Sequence, residues 1–509
     1  MLIPLPGSNT PAEVWPVSAY TLRRRLARSP WLEIGLALAV SALLLAYIGA
    51  DPTRGITGSE SPFTDEAWNV MNARNFVLLG TWSTDQFNLH LVYGPFSLLE
   101  AGIFSVLGVG VVQARLLSIL AIGLTTLALS VGLRRPLGRR PALLAAAAFG
   151  TCFLVLYYGR LAYTETLVML AMTAGALLLV RAGESRGNGR LGLFAGLMFG
   201  VAIATKANAG FGVAGILVGI GILEARSSST RRAIGGALFG LALVSAIWLG
   251  VVFVPMRDAV LLDLRIWHHQ SLPRSVGQLL LRIVSYPFRS DGALPGLLPL
   301  AMGAGLGTVA TVIGWRSLSP PTRRLAVAAI GWLTVELAVL FLVSYRPNRY
   351  VLPLLPAAAI LVGVAAHVLL TRDWTLARSR PGLATVVAGI AVAALTLPGL
   401  VAFGRWMSRA TDTLEPMQAR VAGILPRGAV VWGGFGPLVA MTAPVTTIVP
   451  WPDVPANVGP AFLRMPAHWV VTGNHVPSWI VPGSPVWAAR VERACFKWTG
   501  AEVCLDEVP

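Results

Sequence analysis

Apolar runs of about twenty residues recur along this chain, and that length spans a hydrocarbon core as one α-helix. Leu32 to Ala50 is the first clean case. In lipid such a run has one outlet, because only a helix satisfies all its backbone groups within the segment. The pattern predicts about eleven helices, near 32–50, 112–133, 141–158, 164–181, 190–205, 209–224, 233–255, 293–314, 325–344, 350–370 and 382–403. The two around Lys206 are short and read as separate helices or as one broken pair. Tyr93 to Gly108 is apolar but too short to span, and Gly94-Pro95 opens it, so it reads as an interfacial helix.

The charge pattern orients these helices. Only 12% of the 509 residues are charged, against about 25% in a soluble globular domain. The net charge is +17, which in a soluble protein would suggest nucleic acid. Here the arginines fall in short clusters in alternate loops: Arg23–Arg28, Arg134–Arg140, Arg181–Arg190, Arg226–Arg232, Arg316–Arg324 and Arg372–Arg380. Arginine-rich loops stay on the cytoplasmic side. The expectation is a multi-pass plasma (inner) membrane protein with its N-terminus cytoplasmic and its C-terminus outside, and with no nucleic-acid partner. The Pro-rich leader and Arg23–Arg28 precede a spanning run without a small-residue cleavage site, so the first helix reads as uncleaved.

Two domains are expected. Residues 1–403 form the helical body, with outer loops at 51–111 and 256–295. Residues 404–509 form a small α/β domain, in which Ala429–Trp432 and Trp469–Val471 read as strands between Gly- and Pro-rich turns. Cys495 and Cys504 lie close together there, and a disulfide is one of two open outcomes. Cys152 falls in an apolar span.

The candidate chemistry lies on the outer side. Asp65 and Glu66 follow Thr64 at a helix start, which is either a solvated N-terminus or a working carboxylate pair. A carboxylate beside a bilayer has a raised pKa and is a better base. Glu165 heads the fourth span, where an acid is costly unless partnered or functional. Arg160 is its neighbour in sequence. Arg115, Lys206 and Arg349 either snorkel singly to headgroups or converge to bind a phosphate. His268, His269 and Arg274 lie in the 256–295 loop without a spaced ligand set, so no metal site is assigned. No phosphate-cradling Gly-rich loop is present, which argues against a cytoplasmic nucleotide.

In order and topology these pieces resemble the GT-C membrane glycosyltransferases, in particular the protein O-mannosyltransferase and aminoarabinose-transferase group. The resemblance covers roughly the first 360 residues. It rests on Asp65-Glu66-Ala67 with Ala73-Arg74-Asn75 and Gly80-Thr81-Trp82, and on Tyr93-Gly94-Pro95-Phe96. It rests also on Gln113-Ala114-Arg115-Leu116-Leu117-Ser118, Gly159-Arg160-Leu161 through Glu165, Thr205-Lys206, and Arg349-Tyr350-Val351-Leu352-Pro353. Two positions depart from the pattern. Tyr93 and Gly94 replace a lysine or second proline common in relatives, leaving His90 as the nearby basic group, and Glu165 replaces an aspartate.

The resemblance implies a GT-C fold and inverting transfer of a sugar from a polyprenyl phosphate to a lipid, glycan or protein acceptor outside the cytoplasm. It implies Asp65 as general base, with Glu66 and Glu165 as further catalytic carboxylates. On the donor side it implies Arg115 (which also holds Glu66), Arg160, Lys206, His269, Arg274, Arg349 and Tyr350. His90 and Tyr93 would serve the acceptor or interfacial helix. No cofactor is required on this reading, with a divalent ion left open. The competing reading is a transporter or flippase of a lipid-linked saccharide. Such proteins place charges at the bilayer midplane between repeated halves, and no repeat is visible here.

Overall fold

A computed structural model describes residues 29–52, 65–82, 94–184, 188–224, 226–258, 260–261, 272–285, 293–343, 347–371, 381–449, 469–473, 485–498 and 501–508. His90, Tyr93, His268 and His269, together with Thr64 and the arginines before residue 29, lie outside these.

Every expected span is helical. Trp31–Leu45 (α1) comes first. Two helices outside the spans follow, Asp65–Leu79 (α2) and Pro95–Leu107 (α3). The second coincides with the short apolar run expected to be helical after Gly94, with Pro95 at its first position, where a missing N–H costs nothing. Then come Val111–Gly132 (α4), Arg139–Gly150 (α5), Phe153–Tyr158 (α6), Thr164–Glu184 (α7) and Gly189–Thr205 (α8). Ala209–Leu223 (α9) and Ser228–Trp248 (α10) follow. Val276–Ser285 (α11) lies in what the sequence presents as loop 256–295. Ala293–Ile313 (α12), Pro320–Leu342 (α13), Leu355–Thr371 (α14) and Pro381–Met407 (α15) complete the body. Among the described residues six helices are long and apolar enough to cross a membrane unaided, and several shorter apolar helices pack between them.

The span expected at 141–158 is two helices. Cys152 is extended (φ −59°, ψ 129°) and ends the first segment. Gly399 of α15 passes so close that a Cβ there would lie 1.9 Å from the Thr151 carbonyl oxygen. α8 and α10 approach with similar intimacy: a Cβ on Gly196 would sit 1.9 Å from the Ala237 carbonyl oxygen. Small residues let backbones meet in this way where lipid offers no hydrophobic drive between helices.

Beyond α15, Leu414–Ile424 (α16) leads into a five-stranded mixed sheet. Its strands are Val430–Trp432 (β1), Thr446–Ile448 (β2), Trp469–Val471 (β3), Val491–Trp498 (β4) and Ala501–Glu507 (β5), with a one-turn helix, Gly436–Val439 (α17), between β1 and β2. The order is β2-β1-β3-β5-β4. The first three strands are parallel, and β5 runs antiparallel to both β3 and β4. Cys495 and Cys504 face each other across β4 and β5 and form a disulfide.

The sheet domain shares its core with the helices outside the spans. Ala67, Val70 and Ala73 of α2 and Phe96 and Phe104 of α3 pack in one cluster with Leu414, Met417, Val431, Phe435 and Leu438. Two polar clamps reinforce that seam. The Asp51 carboxylate, buried past the end of α1, accepts from the Thr411 and Thr413 hydroxyls and the Thr413 and Leu414 backbone N–H groups. The Arg74 guanidinium, buried on α2, donates to the carbonyls of Ala440, Met441, Ala443 and Val445. A carbonyl cage of this kind satisfies a buried cation without a counter-charge.

Candidate active site

Four ends of helices meet at one point. α2 begins with Asp65 and Glu66, so both carboxylates stand near the free N–H groups of its first turn. α7 begins at Thr164, and Glu165 occupies its first turn. α8 stops at Lys206, which is extended (φ −155°) and breaks the helix before α9 restarts at Ala209. Pro347 and Pro353 confine Asn348–Leu354 to a 3-10 segment that delivers Arg349 and Tyr350.

These residues interlock. Arg349 Nη2 lies 2.7 Å from Asp65 Oδ2, and Arg349 Nε lies 3.7 Å from Glu165 Oε1. Lys206 Nζ lies 2.5 Å from the same Glu165 oxygen. The Tyr350 ring backs both cations, with Lys206 Nζ 4.5 Å and the Arg349 guanidinium 5.4 Å from its centroid. Two acids and two bases thus form a compact neutral cluster. It is not sealed: the Asp65, Arg349 and Lys206 side chains are 18%, 12% and 22% exposed, whereas Glu165 is at 1%. Burial pushes the Asp65 carboxyl above its ordinary value; Arg349 opposes this without cancelling it.

Glu66 faces the other way. It makes a two-pronged pair with Arg115, Nε to Oε1 at 2.8 Å and Nη2 to Oε2 at 2.7 Å, and also accepts the Ala162 N–H at 3.0 Å. Arg115 Nη1 donates to both the Ile48 and Ala50 carbonyls. The pair ties α2 to α4 and to the end of α1, directly behind Asp65. Asn69, one turn further along α2, donates to the Ala162 carbonyl at 2.8 Å and braces the same helix.

Arg160 does not pair with Glu165, its sequence neighbour. It is fully buried, donates to the Ala50 and Asp51 carbonyls at 2.7 and 3.2 Å, and stacks 4.2 Å from the Trp406 ring. Arg160, expected on the donor side, therefore serves the backbone past α1 in this structure. Arg274 is exposed before α11, its backbone N–H bonded to Gln278 Oε1, and stands outside the cluster. Asp51, Asn69 and Trp406 support the site without having been singled out in the sequence; Arg74 stood in the Ala73-Arg74-Asn75 motif but with no role assigned. Asp51 carried one faint signal, an acid immediately after an apolar run.

Among the described residues the one grouping of candidate metal ligands is Glu492, Cys495 and Cys504, whose cysteines are joined to each other. At the Asp65 cluster each carboxylate is already neutralised, so a divalent ion would have to displace Arg349 or Lys206.

Residues 96–248, which include Arg115, Arg160, Glu165 and Lys206, match the family model described as dolichyl-phosphate-mannose-protein mannosyltransferase. No curated protein matches the chain by sequence. Among solved structures, ArnT from Cupriavidus metallidurans bound to undecaprenyl phosphate is similar with a TM-score of 0.64 at 15% identity, over 96% of this chain and 98% of that one. This chain has the GT-C glycosyltransferase fold. Two further structures with this fold are more distant. The oligosaccharyltransferase AglB from Archaeoglobus fulgidus, in complex with an inhibitory peptide and a dolichol-phosphate, has a TM-score of 0.51 at 12% identity, over 87% of this chain and 69% of that one. The arabinofuranosyltransferase AftD from Mycobacteria has a TM-score of 0.52 at 16% identity, over 94% of this chain and 40% of that one. The GT-C fold thus extends over nearly the whole chain, including the parts of the Asp65 cluster outside residues 96–248.

Proposed function

We propose that the protein transfers a sugar from a polyprenyl phosphate to an acceptor on the extracytoplasmic face of the membrane, with inversion. The observation that carries this reading is the cluster of Asp65, Arg349, Glu165 and Lys206, gathered at helix ends and open on one side. The ArnT structure, bound to undecaprenyl phosphate, and the AglB structure, with dolichol-phosphate and peptide, support a lipid phosphate as the donor's carrier. The arginine-rich alternate loops support a reading with this end of the helices outside and the N-terminus in the cytoplasm.

The chemistry follows from the charges. A donor phosphate entering the cluster competes for Lys206 and Arg349, and a guanidinium binds phosphate through two parallel hydrogen bonds. Drawing Arg349 toward the phosphate releases Asp65. The freed carboxylate takes the proton from the acceptor hydroxyl or amine. The acceptor atom then attacks the anomeric carbon from the face opposite the phosphate, and the carbon–oxygen bond to the phosphate breaks. Charge developing on that oxygen falls on Lys206 and Arg349, already in place. The face of the Tyr350 ring backs both cations. Glu165 sets the resting position of Lys206 and Arg349. Glu66 and Arg115 fix the helix that carries Asp65 and take no part in bond making. The test is transfer or donor hydrolysis by purified protein offered a panel of polyprenyl-phosphate sugars. Turnover with one donor identifies the class. Flipping of a lipid-linked saccharide in liposomes, without any turnover, would overturn the reading in favour of a transporter.

A further inference from the structure

Lys206 and Arg349 stand at one end of the helical body, and the helices beside them close a second site at the other end. α9 starts at Ala209, beside Lys206, and its 15 residues carry the chain about 22 Å along the helix axis. α13 runs the opposite way, from Pro320 toward Arg349. Where α9 ends and α13 and α10 begin, Ile222, Leu223, Glu224, Arg226, Ser227 and Arg324 line a cavity of about 610 Å³.

One wall of this cavity is apolar and open: Ile222, at the tip of a membrane helix, is 77% exposed. The other wall is cationic. Glu224 is already engaged, with Arg324 Nε at 2.6 Å and the Thr230 hydroxyl donating to its second oxygen. Arg226 is exposed and makes no ion pair among the described residues. Ser227 caps α10, its hydroxyl accepting from the Thr230 N–H at 3.3 Å, so the positive end of a 21-residue helix opens beside Arg226. Arg231 and Arg232 lie exposed in the next turn. The balance of the pocket is positive, and its lip is greasy.

From this pairing we infer that the pocket binds the phosphate of an anionic phospholipid headgroup, in the leaflet opposite the Asp65 cluster. A soluble phosphate would find the same guanidinium and the same helix end, but it would gain nothing from Ile222 and Leu223. A phospholipid uses both walls at once: its phosphodiester meets Arg226, and its glycerol and upper acyl carbons lie along Ile222. The site is independent of sugar transfer and requires only that the helices span a bilayer.

The test is native mass spectrometry of the purified protein titrated with phosphatidylglycerol, with phosphatidylcholine, or with inorganic phosphate as competitor. Arg226→Gln is the diagnostic variant, since the side chain is exposed and its loss leaves the fold intact. Arg427→Gln, on an exposed turn of the sheet domain, controls for diffuse charge. Arg226→Gln is expected to weaken phosphatidylglycerol binding about tenfold, the scale of one charge-assisted hydrogen-bonded contact. Arg427→Gln is expected to show no such effect and Arg226→Lys to recover part of the loss, while phosphatidylcholine, whose choline cation meets the same arginines, is expected to bind wild type more weakly than phosphatidylglycerol. Unchanged phosphatidylglycerol binding in Arg226→Gln, or an equal loss in Arg427→Gln, would overturn the site. Displacement of the lipid by inorganic phosphate at equal molar concentration would overturn the lipid assignment in favour of a free anion.

Discussion

Arg349 Nη2 is 2.7 Å from Asp65 Oδ2, although the two residues are almost three hundred positions apart in the chain. The same guanidinium reaches toward Glu165, so one cation restrains two acids at the open side of the cluster. A group held this way is restrained in the resting protein and redeployed when another anion enters. Arg349→Gln is therefore expected to lower transfer by about two orders of magnitude, the scale lost with one preorganised donor at developing charge. Arg349→Lys keeps the charge but loses the fork and is expected to recover only part of the rate. Steady-state kinetics with a lipid-linked donor checks both, and full rate in Arg349→Gln would remove Arg349 from the mechanism.

The raised pKa of Asp65 has consequences for rate and for stability. As a base it works only when ionised, so the acid limb of the pH–rate profile is expected above the ordinary aspartate range, with rate rising as pH rises through it. For stability the sign is reversed. A carboxyl with its folded pKa raised binds its proton more tightly in the native state, so its contribution is largest at low pH and is lost as pH rises through the folded pKa. Above that pKa Asp65 is ionised against that preference. Asp65→Asn is thus expected to leave the melting temperature unchanged or slightly higher while activity falls. A marked drop in melting temperature would show that Asp65 is there for the fold.

Glu66 is expected to behave in the opposite way. It is buried, holds Arg115 through two hydrogen bonds, and accepts the Ala162 N–H. Glu66→Gln leaves a buried guanidinium uncompensated, and removing one partner of such a pair costs about 3–5 kcal/mol. The expected result is poor yield or a lower melting temperature, measured by a thermal scan in detergent. A stable but inactive Glu66→Gln protein would return Glu66 to the chemistry.

Glu100 of α3 presents a different case. Its carboxyl is fully buried, has no hydrogen-bond partner among the described residues, and burial pushes its pKa well up. Its contribution to stability is likewise present at low pH and lost as pH rises. Glu100→Gln is expected to raise the melting temperature at alkaline pH and to matter less in acid. Equal effects at both ends of the pH range would contradict this.

The spans were legible because lipid enforces one pattern, long apolar runs between arginine clusters, and Leu32–Ala50 or Leu355–Thr371 satisfies it locally. β1 and β3 were legible for a similar reason, as short β-branched and aromatic runs between Gly- and Pro-rich turns. The break at Thr151–Cys152 was not, because it answers to Gly399, far away in the chain. In the site, Asp65, Glu165, Lys206 and Arg349 were all visible as charges at helix ends, where ionised groups are costly without a purpose. What each one touches was not visible. Arg160 lies five residues from Glu165 yet turns to the Ala50 carbonyl and Trp406, since buried geometry, and not separation along the chain, chooses the partner. The resemblance makes Glu66, next to Asp65, a second catalytic acid, but adjacent residues on a helix point about 100° apart.

Arg74 shows how the sheet domain bears on the site. It sits on the helix that begins with Asp65 and ends its guanidinium among four carbonyls of the sheet domain. Arg74→Ala leaves those carbonyls unsatisfied and is expected to cost about 3 kcal/mol or more. Faster proteolysis between α15 and the sheet, compared with wild type, would report the undocking. Unchanged proteolysis would mean that the shared apolar core alone holds the seam.

The most direct measurement is sugar transfer by purified protein and by Asp65→Asn, side by side, from the polyprenyl-phosphate sugar that wild type accepts. Loss of a positioned general base is expected to slow transfer by about 10²–10⁴-fold, with the variant still folded and still retaining the donor. Full turnover by folded Asp65→Asn would contradict the assignment of Asp65 as the base.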